Sequence, residues 1–154
     1  MSFALGCSQA HSPADGGTDA ASGLPATAYV GRDCAPDDGA AVSVLVYTSP
    51  VPDCSADPEQ RSLRITVYDG ADSVLPISAP HTITSTATRA NGSVIDCPGG
   101  RAPCRTSSAF TITFDTYAEG AGATGTYTAT FAEGPPATGR FEATWCEVAP
   151  PMCG

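Results

Sequence analysis

The stretch 109-AFTITFDTYAEGAGATGTYTATFAEGPPATGRFEATWCE-147 decides the fold. Its apolar residues fall on every second position. Phe110, Ile112 and Phe114 alternate with Thr111, Thr113 and Asp115; Tyr127, Ala129 and Phe131 alternate with Thr126, Thr128 and Thr130. Phe141, Ala143 and Trp145 then alternate with Arg140, Glu142 and Thr144. A period of two puts alternate side chains on opposite faces of a strand. The connections AEGAGAT and EGPPAT carry the glycine and proline of turns. This third of the chain therefore predicts an antiparallel meander with an aromatic face and a threonine-rich face. Trp145 shares a face with Phe141 and belongs with the core.

The same period extends upstream. In AAVSVLVYTS, Val42, Val44 and Val46 share one face, and Leu45 and Tyr47 lie on the other. SLRITVYDG alternates Leu63, Ile65 and Val67 with Arg64, Thr66 and Tyr68. HTITSTATR is threonine-rich and fits an edge strand, and NGSVIDC opens on an Asn-Gly turn before a short strand. No window has helical periodicity with caps. Fourteen prolines and sixteen glycines punctuate these segments. The expectation is an all-β domain over residues 28–154, an antiparallel β-sandwich of about 7–8 short strands, with a small β-barrel as the alternative. Tyr47 and Tyr68, off the main apolar parity, are the candidates for an exposed aromatic platform.

Cysteine is the most informative residue type. Of seven cysteines, Cys7 lies near the start, and Cys34, Cys54, Cys97, Cys104, Cys146 and Cys153 lie in the body. None forms the closely spaced pairs of zinc or redox sites. Widely spaced cysteines in even number read as disulfides formed in an oxidising compartment. Cys97 and Cys104 flank a compact PGGRAP loop and are expected to pair. For the rest, Cys54–Cys146 with Cys34–Cys153 would join the ends of the domain. The local set Cys34–Cys54 with Cys146–Cys153 remains an alternative.

The formal net charge is −9, and all seven basic residues are arginine. Such a surface repels phosphate backbones and anionic lipid heads, so nucleic acid is excluded as a partner. The absence of lysine removes Schiff-base and P-loop chemistry. Residues 8–27 are dominated by Ser, Ala, Asp, Gly, Pro and Thr, the composition of a disordered linker. Residues 1–7, MSFALGC, resemble the end of a signal segment with a lipobox, in which Gly6 precedes the lipid-bearing Cys7. The membrane would then be met only through that lipid.

The lipobox-like cysteine, the linker, the segment TSPVPDC and the closing GTYTATFAEGPPATGRFEATWC together resemble uncharacterised exported lipoproteins of myxobacteria and similar high-GC soil bacteria. Gly125, Tyr127, Gly139, Phe141, Ala143 and Cys146 match the C-terminal hairpin of that group, G-x-Y/F followed by G-x-F-x-A and a cysteine. The resemblance implies an address, either outer-membrane lipoprotein or extracellular, and a fold, without a mechanism.

Two histidines, His11 in the linker and His81 at a strand start, leave little for nucleophilic catalysis. No catalytic residue is assigned. The acidic loops DCAPDDG and DCSADPE supply Asp33, Asp37, Asp38, Asp53 and Asp57 as candidate Ca²⁺ ligands, although neither follows the EF-hand pattern. Asn91-Gly92-Ser93 matches the glycosylation pattern and is read as a turn. The functional expectation is a non-enzymatic structural or binding module of the bacterial envelope, needing no cofactor, with its ligand or protein partner open. The alternative is a secreted hydrolase or Ca²⁺-dependent carbohydrate-binding domain using the acidic loops.

Overall fold

A computed structural model describes residues 27–54, 61–99, 102–146 and 153. The described residues form eight strands and no helix: β1 (Thr27–Cys34), β2 (Ala40–Tyr47), β3 (Ser62–Tyr68), β4 (His81–Thr86), β5 (Gly92–Cys97), β6 (Arg105–Ala118), β7 (Gly122–Phe131) and β8 (Ala137–Trp145). Their order is β4-β6-β5-β3-β2-β1-β8-β7, and a further β6–β7 pairing closes the sheet on itself. Seven strands thus make a barrel, and β4 lies beside β6 as the extra strand.

The architecture is therefore the barrel, and the two-layer sandwich expected as the main reading is corrected. The reason lies in β1. Its sequence TAYVGRDC carries Gly31, Arg32 and Asp33 and gives a poor strand signal, yet it pairs antiparallel with β2 and parallel with β8. That pairing leaves no free edge between the first strand and the last. All other pairings are antiparallel. Directions alternate around an antiparallel ring, so an odd strand count forces one parallel neighbour.

A barrel of this size is just wide enough for its side chains to fill. Val30, Val44, Ile65, Val94, Ile112 and Phe114 are fully buried along its axis. Phe114 meets Phe141 edge-on at 5.9 Å and Tyr117 at 5.8 Å, and Tyr117 meets Trp145 at 6.4 Å. This aromatic chain climbs toward the end of the barrel where β1, β3, β6 and β8 finish. Half-buried Trp145 packs against the core, as its parity requires.

Strands β4 and β5 behave as one interrupted strand alongside β6. The first runs from His81 opposite Phe114 to Thr86 opposite Ala109; the second resumes with Ile95 opposite Thr106. Between them the chain leaves the sheet and returns through Asn91, which is 2 % exposed. Its side chain donates to Asp72 and to the Thr84 carbonyl oxygen and accepts from the Asp72 amide. Asn91 is thus a buried structural residue.

A second, small apolar cluster lies outside the barrel wall. Tyr47, 1 % exposed, meets Tyr29 edge-on, and the Tyr29 hydroxyl donates to the Val51 carbonyl oxygen at 3.0 Å. The chain after β2 folds back over this face, so Tyr47 forms no exposed platform; Tyr68 is half-buried.

Three disulfides fasten the barrel: Cys34–Cys153, Cys54–Cys146 and Cys97–Cys104. The first two cross the whole domain instead of closing local loops. Three bridges in a domain this small are the mark of an oxidising compartment, extracellular or within an envelope.

Candidate functional site

The two ends of the barrel differ. At the end where β5 finishes and β6 begins, Asp96 points inward with its side chain 5 % exposed. Arg105 donates to it through Nε at 2.8 Å, with a terminal nitrogen 2.7 Å from the same carboxylate oxygen, and Arg61 stands 3.6 Å away. Arg105 also lies 4.0 Å from the centre of the Phe131 ring and donates to the Glu133 carbonyl oxygen. A buried carboxylate survives only with such partners. Burial, reinforced by the Asp96 charge and opposed by Arg61, raises the pKa of nearby Tyr127. This end carries an ion-paired floor around the buried Asp96 carboxylate.

The opposite end is covered by a loop. The chain from Asp69 to Pro80 crosses it as a shaped loop. Asp69 accepts from the amides of Val74 and Leu75 at 2.6 and 2.8 Å, which turns the loop inward. Val74 and Ile77 then drop into the core. The Leu75–Pro76 and Ala79–Pro80 peptides are cis. Asp72 holds the outside of the loop through a two-point ion pair with Arg89 and a bond from Asn91. These contacts bring the Asp72 carboxyl down from 3.8 to about 2, chiefly through Arg89.

Between this loop and the tops of β1, β2 and β6 lies a pocket of about 440 Å³. Val42, Leu75, Ile77 and Tyr117 supply apolar walls, and Arg32 and Glu119 stand at its rim. Arg32 is opposite Val42 in the sheet, so it shares the inward parity of Ala28 and Val30. Its guanidinium pairs with Glu119 from the β6–β7 turn, and both side chains remain about half exposed, 58 % and 49 %. Burial raises the Tyr117 pKa, and the Arg32 charge opposes that rise. A mostly apolar cavity with a few converging polar groups is the usual form of a small-molecule site, and barrel mouths are one of its usual places.

The acidic residues proposed from the sequence are spread over different tasks. Asp33 lies on the outward parity of β1, where it accepts from the Ser43 hydroxyl and the Cys34 amide and stands 3.8 Å from Arg64. Ser43 in turn shares a hydrogen bond with Thr66 at 2.7 Å. Asp37 closes the β1–β2 turn by accepting from the Gly39 amide, and Asp38 occupies the left-handed region there. Asp53 is exposed beside Cys54. Asp57 and Cys7 lie outside the described residues. Among the described residues, no three His, Cys, Asp or Glu side chains gather at one point.

Sequence reasoning did not identify the pocket. Two signals for it exist. One is the apolar trio Val74, Leu75 and Ile77 inside a proline-bearing connection. The other is an arginine at the inward parity of a strand end. Compared with models of protein families, with curated proteins and with solved structures, the chain matches none.

Proposed function

We propose that this chain is an exported binding module of a bacterial envelope whose barrel mouth takes a small, mainly apolar molecule. A lipid on Cys7 would hold it to the outer membrane, with residues 8–27 as the tether. The observation that supports the reading is the asymmetry of the barrel: an ion-paired floor at one end and an apolar pocket of about 440 Å³ at the other.

The test is binding of the neutral fluorophore N-phenyl-1-naphthylamine to the native, oxidised protein. Saturable enhancement with one site per chain is expected. Leu75→Trp, which places a larger side chain in the pocket from a half-buried position, is expected to weaken that binding at least tenfold while leaving the far-ultraviolet dichroism intact. Absence of saturable binding, or binding indifferent to Leu75→Trp, would overturn the reading. Export is tested separately: intact mass of the native protein from bacterial membranes should carry the increment of an acylated Cys7. An unmodified Cys7 thiol would remove the anchor from the proposal.

A further inference from the structure

We infer that the molecule taken by this pocket carries an anionic head, a carboxylate or a sulfonate, and that its head replaces Glu119 on Arg32. The inference rests on the pocket reading above and adds to it the ligand's charge and orientation.

The argument begins with which polar groups meet at the mouth. Arg32 brings its donors to the rim, and the carboxylate paired with it is Glu119. Asp33 also borders the pocket, but its carboxylate is occupied on the outward face by Ser43 and the Cys34 amide. A guanidinium offers a planar fork of N–H groups that fits two oxygens of one acid at once. The ligand chemistry left to be satisfied is therefore an acceptor.

The present occupant of that fork is easily displaced. Exposed ion pairs contribute little to stability, because water and salt screen them. Glu119 sits in the tight turn Ala118–Ala121, outside the barrel, and Arg32 is held within β1 by its antiparallel pairing with Val42. Of the two, the arginine is the positioned partner and the glutamate the movable one. An acid whose apolar body fills the pocket would cover the guanidinium from water, and a charge-assisted bond gains strength as water is excluded. The net charge of −9 does not oppose this at close range, since charges beyond about 10 Å are largely screened at ordinary ionic strength.

The neutral N-phenyl-1-naphthylamine and the anionic 1-anilinonaphthalene-8-sulfonate share one ring body and differ in the sulfonate, which makes them a matched pair. The readout is the ratio of their affinities, measured on the oxidised native protein. The sulfonate is expected to bind about tenfold tighter, as a charge-assisted hydrogen bond would give. Arg32→Gln should bring the ratio to about one, and Glu119→Gln, which removes the competitor, should raise it above the native value. Leu75→Trp should weaken the sulfonate as it weakens the neutral probe. A ratio near one in the native protein overturns the anionic head while leaving the pocket standing. So does a ratio that Arg32→Gln leaves unmoved. If neither probe binds, the pocket itself is refuted, and this inference with it.

Discussion

At the scale of single residues, the hydrogen bonds of Asp72 set a pH limit on the loop that forms the pocket. Its carboxyl titrates at about 2 in the folded protein, below its ordinary value of 3.8. A lowered acid stabilises the fold fully above the ordinary value, and that contribution disappears as pH falls through the lowered one. Wild type should therefore resist urea better than Asp72→Ala at neutral pH. The difference in midpoint should shrink between about pH 4 and about pH 2, and vanish below. A gap that persists at pH 1.5 would mean that Asp72 acts through packing instead of charge.

Elements show why the hairpin G-x-Y and G-x-F pattern recurs within this one chain. In the β7–β8 register, Gly125 faces Phe141 and Tyr127 faces Gly139. A Cβ on Gly139 would sit 2.7 Å from the Tyr127 hydroxyl oxygen, and one on Gly125 would lie 2.8 Å from the Phe141 ring and collide with the Thr113 carbonyl oxygen. Each ring thus lies over the glycine of the facing strand, covering backbone that a glycine leaves bare. Gly125→Ala should cost about 1–3 kcal/mol through overpacking, read from the denaturation midpoint. An unchanged midpoint would show that the strands can part at no cost. The same sheet explains the threonine rows. Thr82 pairs with Thr113 and Thr84 with Thr111 through hydroxyl contacts of 2.9 and 3.3 Å, as do Thr116 and Thr124 at 2.9 Å. These are cross-strand pairs on the outer face of the barrel.

For the whole molecule, covalent closure follows the topology. Cys54–Cys146 spans 92 residues and Cys97–Cys104 spans 7. Cross-links restrict the unfolded chain more when the loop they close is longer. Replacing the first pair by alanine should cost about 4–5 kcal/mol and the second about 2 kcal/mol on the chain-entropy estimate. Denaturant midpoints of the two double variants test this order; equal costs would place the effect in the native state instead. The short bridge has a second, geometric task, since it ties together the strand ends that carry Asp96 and Arg105, the ion pair of the floor.

The local alternation of Phe, Ile, Tyr and Val against Thr determined, by sequence alone, that the described residues are all β, where most strands lie and which side of each faces the core. That information is local because side chains along a strand alternate whatever sheet the strand joins. The even number and wide spacing of the body cysteines likewise pointed to disulfides, which is what they form. Closure was not written there. A sandwich and a barrel use the same alternation, and the choice depended on β1 meeting β8 across more than 100 residues of sequence, through backbone hydrogen bonds to which any residue type contributes. The pocket belonged to the tertiary structure for the same reason. Arg32, Tyr117, Leu75 and Ile77 come from three separate parts of the chain, and only the curvature of the closed sheet brings them to one rim.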